Sequence, residues 1–209
     1  MSPVRWLLSV AVVSTEAITA AADFVHSETI IAAPQRLLVE GLVADYAVLS
    51  EPVPRFSFQH PQLPPGVHNL LQAQYRITVA ISRGTGVWTT VWDSGNINSH
   101  AHAGIEYAGK VLEPFRRYRW TAQWAAATTS VLGSVSSLSP PAVSTFETGP
   151  MAAADWHNAS WLYGFPQARF EFQLPTADAI DWARLYIASP GCTRPTVNGR
   201  VPKPDLRGM

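Results

Sequence analysis

Few residues of this chain have types and spacing that could bind a metal ion. His100 and His102 are two positions apart, which on a strand places both imidazoles on one face and would supply two metal ligands. No third ligand is identifiable, so an exposed loop is the competing interpretation. Asp178 and Asp181 would offer carboxylate oxygens to calcium, but neither spacing nor a partner supports them. The sequence therefore predicts no metal site and no cofactor.

The carboxylic acids and nucleophiles are interpreted as structural. Ser94 lies in a turn with no histidine or acid predicted against it, and it lacks the Gly-x-Ser-x-Gly context of a nucleophile elbow. Cys192 follows a Pro-Gly turn without a basic neighbour, so we expect a plain thiol. Turn capping or a solvated rim is assigned to the acids at predicted strand ends, which are Asp93, Glu106, Glu113, Glu147 and Asp155. No catalytic residue is predicted.

Tryptophans are the remaining candidates for contact with a ligand. Trp156 and Trp161 lie near a predicted domain boundary and would provide indole faces on which a neutral saccharide packs. The tryptophans on alternating strand positions are assigned to the core instead: Trp88, Trp92, Trp120 and Trp124. Asn158 heads the triplet Asn-Ala-Ser, an acceptor for an N-linked glycan in a eukaryotic secretory route, although such triplets also arise by chance.

Composition and the N-terminus bear on the partner and the compartment. The formal net charge is +0 and charged residues make up 14%, so no attraction to nucleic acid or to an anionic membrane is implied. Arg5, the apolar residues 6–13 and the small residues ending at Ala22 have the layout of a secretory signal peptide, residues 1–22. A buried or anchoring N-terminal helix is the alternative. We expect cleavage after Ala22, secretion, and a mobile segment over residues 23–33.

The elements that must position these residues are predicted to be strands. In residues 112–124 a corner at Leu112 and Pro114 precedes an alternation in which Tyr118 and Trp120 share one face. A tyrosine two residues before a core position is typical of sandwich domains, where its hydroxyl bonds to the backbone of the corner. Further strands are predicted over residues 35–42, 55–59, 72–82, 87–93, 105–107 and 143–147.

About seven strands match an all-β, fibronectin type III-like β-sandwich, which we assign to residues 34–150. Residues 151–209 contain two further alternating segments, 169–174 and 183–187, and an Asn198-Gly199 pair suited to a type I′ hairpin. These are too few strands for a second sandwich, so we expect an incomplete domain with an open edge.

The order of short motifs resembles the N-terminal region of the α-L-rhamnosidases of glycoside hydrolase family 78. The motifs are Leu38-Val39-Glu40-Gly41-Leu42, Pro54-Arg55-Phe56-Ser57-Phe58, Gln74-Tyr75-Arg76-Ile77, Trp92-Asp93-Ser94-Gly95, Tyr107-Ala108-Gly109, Tyr118-Arg119-Trp120 and Phe146-Glu147-Thr148-Gly149. Downstream, the motifs that look like the start of that family's jelly-roll module are Asp155-Trp156, Ala159-Ser160-Trp161, Phe170-Glu171-Phe172, Ala183-Arg184-Leu185-Tyr186-Ile187 and Val197-Asn198-Gly199.

The resemblance implies inverting hydrolysis of terminal α-L-rhamnose by two glutamates on a distant (α/α)₆ barrel. Those catalytic residues map onto no position here, and the usual Gly-x-Gly-Tyr of the jelly roll is replaced by Ser189-Pro190-Gly191-Cys192. We therefore expect a non-catalytic scaffold or accessory module whose partner is a missing catalytic domain. A stand-alone carbohydrate- or protein-binding module and a truncated product without function are the alternatives.

Overall fold

A computed structural model of the chain describes residues 31–44, 47–63, 65, 70–84, 86–127, 136–157, 159–162, 167–173 and 183–202. These residues form strands and one short 3-10 helix, Ala153–Trp156. The strands are β1 Gln35–Val39, β2 Val48–Leu49, β3 Arg55–Gln59, β4 Leu71–Ser82, β5 Trp88–Asp93, β6 Ile97–Asn98, β7 Ile105–Glu106, β8 Arg117–Ala127 and β9 Ala142–Thr148. The all-β prediction is confirmed.

Two sheets make up the sandwich. The smaller has the order β1-β3-β7, and the larger has the order β2-β9-β8-β4-β5 with β6 added beside β4. All pairings are antiparallel except that of β2 with β9, which is parallel. The long strands β4 and β8 pair along most of their length and form the centre of the larger sheet.

The core lies between these sheets and consists mostly of rings. In β8 every second residue from Tyr118 is buried, and in β4 Ile77, Val79 and Ile81 are buried, as period-two alternation predicts. Phe56 from the smaller sheet packs on Trp120 from the larger one, with ring centroids 4.7 Å apart. The large buried rings therefore join the two layers directly.

The tyrosine corner forms as predicted. Tyr118 Oη accepts a hydrogen bond from the Glu113 backbone N–H at 2.9 Å and lies 3.5 Å from the Glu113 carbonyl oxygen, to which it donates. Leu112 beside it is buried. The predicted central strand and its corner are thus confirmed.

The core begins before the predicted domain start at Pro34. Ile31 is buried, and the Ala32 carbonyl accepts a hydrogen bond from Trp124 Nε1 at 3.0 Å. Residues 31–33, the described end of the segment expected to be mobile, are therefore attached to the sandwich. The remaining part of that segment lies outside the described residues.

The region after the sandwich departs from the prediction. The described residues of segments 169–174 and 183–187 form no strand, so this assignment was wrong. Alternation alone does not make a strand, because a strand needs a neighbour that accepts and donates its backbone hydrogen bonds. Phe170 and Phe172 are accordingly 83% and 60% exposed. The jelly-roll assignment of residues 151–209 stays a prediction.

The predicted hairpin turn is present. Val197 and Arg200 exchange backbone hydrogen bonds of 2.8 and 3.0 Å. Asn198 and Gly199 between them have φ values of 50° and 76°, and positive φ at both central positions is what a type I′ turn requires.

Candidate functional site

The candidate metal ligands do not converge in the described part of the chain. His100 Nδ1 donates to the Gln72 carbonyl oxygen, and His102 Nδ1 donates to the His100 carbonyl oxygen at 3.3 Å. No group of three His, Cys, Asp or Glu side chains among the described residues is placed to hold a metal ion. Asp178 and Asp181 lie outside those residues.

The carboxylates accept hydrogen bonds from arginine side chains and backbone N–H groups. Asp93 accepts from Arg76 at 2.6 Å and from the Gly95 N–H at 2.9 Å, and the hydrogen bonds from Arg76 are the main cause that lowers the pKa of Asp93. Glu113 accepts from the arginine three residues later at 2.9 Å. Asp155 accepts from two backbone N–H groups, each at 2.8 Å. These carboxylates therefore cap turns or form surface ion pairs.

The remaining polar candidates also serve local structure. Glu106 lies directly opposite Arg55 in the antiparallel pairing of β3 with β7. Ser94 Oγ accepts from the Ile77 N–H at 2.9 Å and donates to the Gly95 carbonyl oxygen at 2.8 Å, which fastens the turn after β5 to β4. Cys192 is a free, exposed thiol.

The two candidate tryptophans differ in exposure. Trp156 ends the short 3-10 helix and is half-buried, whereas Trp161 is 60% exposed. Asn158 and Ala22 lie outside the described residues, so glycosylation and signal cleavage stay predictions. Within the described ranges no helix has the length and apolar character needed to cross a bilayer.

A further group of contacts outside the sandwich core lies at its last strand, in a surface that we call the junction. It consists of Phe115, Glu147, Thr148, Arg184 and Tyr186. Arg184 Nε donates to Glu147 Oε2 at 2.8 Å, and Arg184 Nη2 donates to the same oxygen. Tyr186 Oη donates to the Thr148 carbonyl oxygen at 3.1 Å, and its ring packs edge-on against Phe115 with centroids 5.2 Å apart.

Burial and charge at the junction act together. Loss of solvation raises the pKa of Tyr186 and the Glu147 carboxylate raises it further, so the phenol stays a hydrogen-bond donor. Glu147 also has Arg117 Nε at 3.9 Å. A Cβ on Gly149 would lie 3.2 Å from Tyr186 Cε1, so a residue without a side chain lets the ring approach β9 closely.

The junction is suited to holding two segments together rather than to chemistry. Its acid is paired with an arginine, and a paired carboxylate is neither a poised general acid nor a free nucleophile. The alternation of residues 183–187 is the sequence signal for Arg184 and Tyr186, because it places both on one side. It does not reveal which surface they meet.

Comparisons with known proteins agree with this description. Residues 34–152 match the family model described as Rha78A-like, N-terminal immunoglobulin domain. Among curated proteins, none is similar enough to this chain to count as a match.

Similar solved structures include three α-L-rhamnosidases. That from Dictyoglumus thermophilum is 29% identical with a TM-score of 0.49, and the match covers 60% of this chain and 13% of the other. That from Streptomyces avermitilis, complexed with L-rhamnose, is 30% identical with a TM-score of 0.46 and coverage of 60% and 11%. That from Aspergillus terreus is 16% identical with a TM-score of 0.45 and coverage of 61% and 13%.

The match therefore spans about an eighth of the length of these relatives. Immunoglobulin and fibronectin type III domains share the sandwich architecture, so the matched family agrees with the predicted fold. With two facing sheets, a tyrosine corner and a family match over residues 34–152, the chain belongs to the family of Rha78A-like N-terminal immunoglobulin domains.

Proposed function

We propose that this chain is the non-catalytic N-terminal portion of an exported α-L-rhamnosidase-like glycoside hydrolase, and that its sandwich braces the domain that follows. The junction is the observation that carries the proposal. Two residues at alternate positions, Arg184 and Tyr186, attach the segment after the sandwich to the end of β9. One attachment would leave the segment free to swing, whereas an ion pair, a hydrogen bond and a ring contact together define its orientation.

The chemistry of the family supports the division of labour in this proposal. Inverting hydrolysis of a rhamnoside needs two carboxyl groups on either side of the glycosidic bond, one of them protonated and the other free to activate water. Asp93, Glu113, Glu147 and Asp155 instead hold arginines or backbone N–H groups. The reaction would therefore belong to a catalytic domain that this sandwich holds in place.

Export is part of the proposal and is supported by the N-terminal sequence. Arg5, the apolar residues 6–13 and Ala20-Ala21-Ala22 follow the order of a charged, an apolar and a small-residue region. A mature chain would then begin at Asp23.

A stand-alone carbohydrate-binding module is the second candidate, and the exposure of Trp161 favours it. An indole that is 60% exposed can stack on the face of a rhamnose-containing glycoside without any rearrangement. In that case sugar binding would be the function of the chain itself.

Two measurements on the purified 209-residue chain separate the candidates. A brace is expected to release no rhamnose from an aryl rhamnoside and to show no saturable change in tryptophan fluorescence when titrated with rhamnose or rhamnosides. A binding module would show a saturable change that Trp161→Ala abolishes. Leu162→Ala is the matched control, because Leu162 is a neighbouring residue that is 68% exposed. Turnover by the chain would contradict both proposals.

A further inference from the structure

One end of the sandwich carries a group of contacts around a single histidine, which we call the His60 cluster. It consists of His60, Gln72, His100, His102 and Trp124. The half-buried His60 ring has its centroid 5.1 Å from that of His102 and 4.6 Å from the indole of Trp124, which it meets edge-on at 68°. The cluster connects the end of β3, the start of β4, the segment after β6 and the second half of β8.

The buried amide of Gln72 organises the cluster. Gln72 Nε2 donates to the carbonyl oxygens of Ser99 and Ala101 at 2.9 and 2.7 Å, so Gln72 Oε1 is left as an acceptor. His60 Nε2 lies 2.7 Å from that oxygen and therefore donates to it. The neutral His60 ring thus carries its proton on Nε2, and a second proton would have to bind Nδ1.

The surroundings of His60 oppose that second proton. Burial is the main cause that lowers the pKa of His60, the positive charge of His102 lowers it further, and the hydrogen bond to Gln72 acts in the opposite direction. Trp124 and Gln72, which face His60 from β8 and β4, are uncharged. Among the described residues, His102 is the one titratable group that acts on His60 through its charge, and no carboxylate faces it.

We infer that the His60 cluster is a pH-sensitive contact, intact while the His60 ring is neutral and weakened when acid protonates it, because the half-buried cation would lie 5.1 Å from the ring of His102 with no carboxylate of the described residues facing it. Weakening the cluster would loosen the contacts among β3, β4, β8 and the segment after β6 at this end of the sandwich. The Phe58 N–H donates to the His102 carbonyl oxygen at 2.8 Å, so a shift of His102 also disturbs β3.

The direction of the pH effect follows from the shift of His60. Its pKa in the folded chain lies below the ordinary value of 6.5, so the unfolded chain binds a proton more readily than the folded one. The stabilising contribution is fully present above pH 6.5 and is lost as the pH falls through 6.5 and then through the lowered pKa. Each unit of lowering raises the unfolding equilibrium constant by up to about tenfold.

Imidazole NMR titration of the whole chain, with unfolding measured between pH 5 and 8, tests this inference. We expect His60 to titrate below 6.5 and the unfolding equilibrium constant to rise as the pH falls. His60→Gln should flatten that rise, whereas His157→Gln, a change at an exposed histidine outside the cluster, should leave it unchanged.

Two results would overturn the inference. One is a His60 ring that titrates at or above 6.5 in the intact chain, and the other is an equal pH dependence of unfolding in the two variants. The NMR titration needs no substitution, so it decides the matter even where His60→Gln fails to fold.

Discussion

Two buried tyrosines show how much a single hydroxyl contributes to this sandwich. Tyr118 Oη bonds to the backbone N–H and carbonyl of Glu113 and so holds the corner before β8. Tyr107 Oη is buried without a hydrogen-bond partner among the described residues. Burial raises the pKa of both phenols, that of Tyr107 to about 12, so both keep their protons over the physiological range. Both hydroxyls are therefore protonated, but only that of Tyr118 forms hydrogen bonds among the described residues.

Replacing each tyrosine by phenylalanine should therefore change the free energy of unfolding by different amounts. Tyr118→Phe leaves the Glu113 N–H without its acceptor, and we expect it to lower the free energy of unfolding by about 1–3 kcal/mol. Tyr107→Phe removes a polar group that is already unsatisfied, so the expected change is about zero or slightly stabilising. Urea denaturation at neutral pH measures both, and equal losses in the two variants would contradict this account of the corner.

The alternation of apolar and polar residues correctly predicted strands where a neighbouring strand is present to pair with. It failed in the segments after the sandwich, where the described residues form no strand. The seven predicted strands correspond to β1, β3, β4, β5, β7, β8 and β9. β2 and β6 were not predicted, because each has two residues and exists through its pairing with β9 or β4. Residues 183–187 alternate as clearly as any strand, yet their side chains, rather than a backbone ladder, join them to β9.

Limited trypsin digestion tests whether these side chains hold the junction closed. In the wild-type chain we expect cleavage after Arg184, which is held by Glu147, to be slower than cleavage after Arg169, whose side chain is 86% exposed. Tyr186→Ala removes the hydrogen bond to Thr148 and the contact with Phe115. A loss of about 1–2 kcal/mol raises the open population, and with it cleavage after Arg184, roughly 5- to 30-fold.

A control for this digestion lies in the same segment. Ile187 is 47% exposed, so Ile187→Ala should leave cleavage after Arg184 unchanged. Cleavage after Arg169 should be the same in all three chains. If Tyr186→Ala and Ile187→Ala accelerate cleavage equally, the junction does not fix the orientation of this segment and the proposed brace loses its main support.

At the scale of the whole molecule, the junction lies near one end of the larger sheet and the His60 cluster lies near the other. The junction lies at the end of β9, and the His60 cluster lies where β3 ends and β4 begins. Neither needs a reactive group, which agrees with the proposed role of holding another domain. In acidic surroundings, we expect the His60 cluster to weaken.

The proposed export predicts the N-terminal residue of the secreted protein. When the chain is produced with its own N-terminus in a host that secretes it, N-terminal sequencing of the protein from the medium should begin at Asp23, because cleavage is predicted after Ala22. Protein that stays with the cells and begins at Met1 or Ser2 would contradict export.

The sequence by itself determined seven of the nine described strands, the corner at Leu112 and the turn at Asn198-Gly199, because each depends on residues close together in the chain. The order of short motifs along the chain indicated the family. The tertiary structure decided which residues that are far apart in the sequence come into contact. Gln72 joins His60 to residues 99–101, and Arg184 reaches Glu147 across 37 positions. Periodicity tells which side of a segment a residue occupies, but the surface facing that side depends on how the sheets pack.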